Sequence, residues 1–169
     1  MEAPGGQNRY LSKAHVVTIS DGAFHGKRED ASGPVLVGLL SRAGFEVGGP
    51  EVVPDEAERI YEAVITAVAR GVDLVVATGG TGLGPRDVTP QAMLNIFDYV
   101  VPGIGETMRR AGADATPMAA LSRSLAGVRE RTLIISVPGS PKGASESLEA
   151  VIPIIGHAVQ LLHGDTSHS

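Results

Sequence analysis

Leu74-Val75-Val76-Ala77-Thr78 runs straight into Gly79-Gly80-Thr81-Gly82-Leu83-Gly84-Pro85-Arg86-Asp87-Val88-Thr89-Pro90, and this junction decides the fold. A short apolar run without polar alternation is what a parallel strand buried on both faces requires. The glycines after it allow positive φ and close backbone approach, so successive N–H groups can surround a phosphate or the polar edge of a ring. Many strand-to-helix turns are glycine-rich, and the block has neither dinucleotide-binding spacing nor the Gly-Lys-Ser/Thr of a Walker loop. Arg86 and Asp87 change the weighing, because they put anion recognition and a metal-binding carboxylate beside the glycines. Thr89 and Pro90 read as the cap and first position of a helix carrying Met93, Ile96 and Phe97.

Working outward, His15 to Ser20 is a β-branched strand that ends in Ser20-Asp21-Gly22 and a loop. Ser32 reads as the cap of a helix with the apolar stripe Leu36, Leu39, Leu40 and Ala43, stopped at Gly44. Phe45 to Val53 is extended, and Asp55 to Glu58 has capping-box spacing ahead of a helix that buries Ile60, Ala63, Val64, Ala67 and Val68. Beyond the glycine block, Pro102 to Ala113 reads as a helix and Thr132 to Val137 as a strand. A closing helix over Ser145 to Leu162 should be kinked or split by Pro153. Alternating strands and helices predict an α/β fold with a mostly parallel sheet covered on both faces. The expected organisation is one domain over 14–164, between flexible tails at 1–13 and 165–169.

Composition narrows the function. Of the 169 residues 43% are hydrophobic and 20% charged, as in a globular protein with one core. With zero cysteines there is no disulfide scaffold, zinc ribbon or thiol nucleophile. A net charge of −5 with 4% aromatics and no Trp offers neither a basic surface nor stacking platforms, so nucleic acid is not an expected partner. Glu2, Pro4 and Gly5 after Met1 do not resemble a secretory leader, and the apolar stretch 151–162 is broken by Pro153, Gly156 and His157. A cytoplasmic protein without membrane partners is therefore expected.

In α/β sheets ligands bind at the carboxyl ends of the strands, so the loops after Ser20, Thr78 and Val137 should form one site. Asp55 follows an extended stretch; it reads either as a helix cap or as a second acid that holds Mg2+ with Asp87 against a polyphosphate. Asp21 could equally close an Asx-turn. Pro138-Gly139-Ser140-Pro141-Lys142-Gly143 is either an anion pocket at a helix start or a rigid turn with a solvated lysine. There is no Gly-x-Ser-x-Gly elbow, and the five histidines lack zinc spacing.

Taken together, the blocks Ser20-Asp21, Asp30 with Ser32-Gly33-Pro34, Pro54-Asp55-Glu56, Thr78 to Pro90, Pro102 to Glu106, Leu121-Ser122-Arg123 and Pro138 to Gly143 resemble the Mog/MoaB family of molybdopterin-binding proteins. The similarity runs from about His15 to Leu162. It implies a three-layer α/β/α fold, a homotrimer, and a Mg·ATP-dependent reaction in which the terminal phosphate of molybdopterin attacks the α-phosphate of ATP. Adenylyl-molybdopterin and pyrophosphate would result, for a molybdenum-inserting partner downstream. On this resemblance Asp55 and Asp87 match the acids of metal-dependent catalysis. Ser20, Asp21, Thr78, Gly79, Gly80, Thr81, Gly82, Arg86, Ser122, Arg123, Pro138, Gly139, Ser140 and Lys142 match the pterin and phosphate contacts. Gly22 departs from the polar residue often found after Ser-Asp. The competing expectation is a non-catalytic molybdopterin carrier of the same fold; retention of both acids favours the enzyme, and a generic nucleotide-binding regulator or oxidoreductase lacks support in the missing ribose-acid pattern.

Overall fold

Glycine stops and apolar runs divide the chain into strands and helices that alternate for most of its length. The structure is a computed structural model that describes residues 11–166. The parts of the expected tails at 1–10 and 167–169 lie outside the described residues. The strands are β1 Lys13–Ile19, β2 Glu46–Val53, β3 Leu74–Thr78, β4 Tyr99–Val100, β5 Ala126–Arg129 and β6 Thr132–Val137. The helices are α1 Asp21–Phe24, α2 Ser32–Arg42, α3 Ala57–Ala69, α4 Thr89–Ile96, α5 Pro102–Ala113 and α6 Pro141–Leu162, with a 3-10 turn at Pro117–Leu121.

One sheet runs in the order β2-β1-β3-β6-β5-β4. β2, β1, β3 and β6 are parallel, whereas β5 and β4 are antiparallel additions. The period of two along β3 divides the core: Leu74 and Val76 join Leu36, Leu40, Met108, Leu148 and Ile155 on one face, under α2, α5 and α6. Val75 and Ala77 join Ile60, Val64, Met93 and Ile96 on the other, under α3 and α4. This is the α/β/α sandwich expected of such a strand pattern.

Several local expectations are corrected. Ser32 does not cap α2: Ala31 holds the cap position without a side-chain bond, and Asp30 Oδ1 accepts the Gly33 N–H at 2.9 Å instead. Asp55 does not cap α3, whose cap residue is Glu56; the Asp55 carboxylate instead accepts the Asp21 N–H at the start of α1. Phe97 leaves α4 in an extended conformation, so that its ring lies where a Cβ on Gly127 would sit. The last helix starts at Pro141 rather than Ser145, because Ser140 Oγ accepts the Gly143 N–H at 3.1 Å. Pro153 does not split α6. It lies on the exposed side, where water can satisfy the carbonyl left without a partner, while Val151, Ile155 and Val159 stay buried on the sheet.

Candidate functional site

Thr18 of β1, Thr78 of β3 and Val137 of β6 lie side by side in the ladder, so the loops after these strands leave from one edge. β1 is flanked by β2 on one side and β3 on the other. The intervening α2 and α3 pack on opposite faces, so a crevice opens where the chain changes direction. It holds a cavity of about 920 Å3, large enough for a cofactor-sized ligand.

The glycine loop forms the floor. Gly79 and Gly80 have φ of +107° and +67°, a conformation that side chains disfavour. A Cβ on Gly79 would collide with the Ile19 carbonyl, and one on Gly80 with the Thr89 hydroxyl. The buried Thr89 Oγ1 donates to the Gly79 carbonyl at 2.7 Å, which pins the start of α4 to the loop. Thr78 Oγ1 donates to the Pro138 carbonyl at 2.8 Å, fastening the β3 loop to the β6 loop.

Asp21 and Asp55 form a reciprocal clasp. The Asp21 N–H donates to Asp55 Oδ2 at 2.8 Å, and the Asp55 N–H to Asp21 Oδ1 at 3.0 Å. Arg86 completes it with a two-pronged grip on Asp21, Nε to Oδ2 and Nη2 to Oδ1, each at 2.9 Å. The Asp55 amide, helped by Arg86, therefore holds the Asp21 carboxyl below the usual range. Asp55 goes the other way: burial pushes it up, and the charges of Asp21 and Asp87 add to that push. Its Oδ1 lies 3.1 Å from the position a Cβ on Gly80 would take. Asp87 Oδ2 accepts the Gly84 N–H at 2.9 Å, which closes the loop and keeps the carboxylate at the cavity.

Asp55 and Asp87 thus line one cavity, and among the described residues no group of three or more His, Asp or Glu could hold a metal ion alone. Two carboxylates beside a glycine cradle fit a hard cation that takes its other oxygens from a polyphosphate and water, as Mg2+ does. They do not fit a closed protein-only cage.

Of the residues singled out from sequence, Ser20, Asp55, Thr78, Gly79, Gly80, Thr81, Gly82, Asp87, Ser122, Pro138, Gly139 and Ser140 line the cavity together. The others lie behind or beside it. Arg86 grips Asp21 as described. Arg123 donates from Nε to the Gly82 carbonyl at 2.9 Å and from Nη2 to the Asp87 carbonyl at 2.7 Å, bracing the loop from below. Lys142 is exposed and lies 3.8 Å from Glu146. The wall that sequence reading missed comes from α5 and the 3-10 turn, with Met108, Arg109, Thr116 and Met118. Its signal was weak: Met108, Arg109, Thr116 and Met118 are scattered among glycines and alanines without a recognisable ligand-binding spacing.

Residues 15–157 match the family model described as a probable molybdopterin binding domain. The molybdopterin adenylyltransferase of Helicobacter pylori (strain J99) is 40% identical over 156 residues, covering 89% of this chain and 87% of that protein. A molybdenum cofactor biosynthesis bifunctional protein of Synechococcus elongatus is 39% identical over 89% of the chain, which spans only 47% of that relative's length. Among solved structures, the molybdopterin biosynthesis enzyme MoaB of Thermus thermophilus superposes with a TM-score of 0.86 at 47% identity, covering 92% of this chain and 98% of that one.

Proposed function

The chain belongs to the molybdopterin-binding domain family, and from that premise we propose that it activates molybdopterin by Mg·ATP-dependent adenylyl transfer during molybdenum cofactor assembly. The observation that carries this reading is the pair Asp55 and Asp87, both lining a cavity that Gly79 to Gly82 also line. Burial holds Asp55 in a raised-pKa setting beside two further acids, an arrangement that works against stability and favours a cation. A carrier would have less need of it. The name of the 40% identical Helicobacter relative supports the same reaction.

The chemistry asks little of acid–base groups. A phosphate oxygen of molybdopterin attacks the α-phosphorus of ATP, the bond to the β-phosphate oxygen breaks, and pyrophosphate leaves. The nucleophile is already an anion, so positioning and charge neutralisation dominate. Glycine-loop N–H groups and the Ser122 and Ser140 hydroxyls orient the phosphates. The Asp21–Asp55 clasp and the Arg123 brace fix the two carboxylates, which would hold Mg2+; the ion would supply neutralisation of the phosphate charge.

The assembly in this reading is a homotrimer in the cytoplasm, handing its product to a molybdenum-inserting enzyme. Among the described residues no helix is long and apolar enough to cross a membrane. Sedimentation tests the trimer, and a monomer at all working concentrations would refute it. The function is tested by incubating the protein with molybdopterin, ATP and Mg2+ and analysing for adenylylated pterin. Tight pterin binding without product would leave only the carrier.

A further inference from the structure

Arg28 stands apart among the arginines near the cavity; the exposed Lys142 lies beside the rim, 3.8 Å from Glu146. Arg86 grips Asp21, Arg123 braces two loop carbonyls, and Arg109 Nη1 donates to the Ser124 carbonyl at 2.7 Å. Arg28 lines the cavity, yet its guanidinium makes one long bond, from Nη2 to Ser20 Oγ at 3.3 Å. Among the described residues it forms no ion pair with a carboxylate. The acids lining the same cavity are Glu29, Asp30, Asp55, Asp87 and Glu146. An anionic ligand entering so acidic a wall needs a cation not already committed to backbone.

The position of that guanidinium depends on Gly22. The segment after α1 turns back at Gly26, φ +69°, and the Lys27 and Arg28 N–H groups both donate to the Gly22 carbonyl, at 2.8 and 3.3 Å. Arg28 then lies across the first turn of α1. A Cβ on Gly22 would be 2.6 Å from Arg28 Nε, 3.1 Å from Cγ and 3.2 Å from Cδ. The side chain therefore occupies the space that any larger residue at 22 would fill.

We propose that Arg28 grips a ligand phosphate in this cavity, and that Gly22 is small so that the guanidinium can fold over α1 to reach it. This rests on the proposed function, in which two ligands, ATP and molybdopterin, bring phosphates. The fork of an arginine suits a phosphate better than a lysine does, because two N–H bonds are made at once. Neither residue belongs to the glycine loop or the acid pair; together they form a separate determinant of ligand affinity.

The test is calorimetric titration of the full chain with Mg·ATP and, separately, with molybdopterin, for the parent, Arg28→Gln, Arg28→Lys and Gly22→Ala. Arg28→Gln should weaken one of the two ligands about tenfold or more, and the ligand that weakens identifies the phosphate. Arg28→Lys should recover part of the loss. Gly22→Ala should weaken the same ligand by about two- to fivefold, while its melting temperature holds or rises, since alanine is the better helix residue. Were Arg28→Gln to bind both ligands as tightly as a parent that binds them, this inference would fall and the proposed function would stand. A parent that bound neither would overturn both. Parental binding by Gly22→Ala alongside a weakened Arg28→Gln would overturn the role given to Gly22.

Discussion

Asp55→Asn separates the chemistry of the acid pair from its structural role. The Asp21 N–H needs an acceptor at the position of Asp55 Oδ2, 2.8 Å away, and the asparagine carbonyl can take that place. The amide nitrogen then points where Oδ1 now faces Gly80, so a cation there loses a ligand oxygen and meets a donor. Removing groups that merely orient metal ligands costs about 10–100-fold in affinity or activity, and loss of a direct ligand should reach the upper end, so adenylyl transfer should fall at least about 100-fold. Stability should move the other way. Burial, with Asp21 and Asp87, raises the folded pKa of Asp55 above 3.8, so its contribution is favourable below that value and is lost as pH rises through the folded pKa. At neutral pH the ionised group is a cost that asparagine removes, a gain of about 1 kcal/mol or less because the site is partly open to water. Calorimetric melting of parent and variant at pH 7, and again near pH 4, should show the variant level or ahead at neutral pH and the gap closing in acid. A variant that melts well below the parent at pH 7, or that turns over at the parental rate with saturating Mg·ATP, would refute the reasoning.

Other perturbations follow from the same geometry. Asp21 is held low by the Asp55 amide and by Arg86, so it stabilises the fold above its ordinary pKa and loses that effect as pH falls through the lowered value. Asp21→Asn should therefore lower the urea midpoint at pH 7, and the difference should vanish toward strongly acidic pH. Gly80→Ala forces a side chain into φ +67° against the Thr89 hydroxyl and should cost about 1–3 kcal/mol in denaturant titration, with loss of pterin binding. Arg123→Lys can replace only one of the bonds to Gly82 and Asp87. It should destabilise the fold by about 1–2 kcal/mol and lower kcat more than it raises KM for ATP, measured by steady-state kinetics.

The parts of the fold legible in the sequence are those where one local rule has no rival. β3 and β6 read at once because their apolar runs end at glycine or proline, whereas α5 was harder to read because Gly103, Gly105 and Gly112 interrupt it. β4 and β5 were missed: Tyr99–Val100 has two residues, and Ala126–Arg129 contains Gly127, whose purpose is to receive the Phe97 ring. Convergence of the Ser20, Thr78 and Val137 loops followed from strand alternation alone. The role of Asp55 did not, because a carboxylate before a helix has cap spacing whether or not it caps. Only the backbone geometry shows it turned toward Asp21. Arg86 read as an anion contact from its place beside the glycines and Arg123 from the family resemblance; their bonds to Asp21 and to loop carbonyls span 65 and 36–41 residues, beyond any local pattern.

The central claim is that this cavity transfers an adenylyl group. The direct measurement is a single turnover of pterin-loaded protein with Mg·ATP labelled at the α-phosphate or, separately, at the γ-phosphate, for the parent and for Asp87→Asn. The account predicts that the parent moves the α-label onto molybdopterin with one pyrophosphate released per transfer and leaves the γ-label in pyrophosphate, while Asp87→Asn retains pterin and transfers little. Pterin retained by the parent with no α-label transferred at saturating Mg·ATP would contradict it.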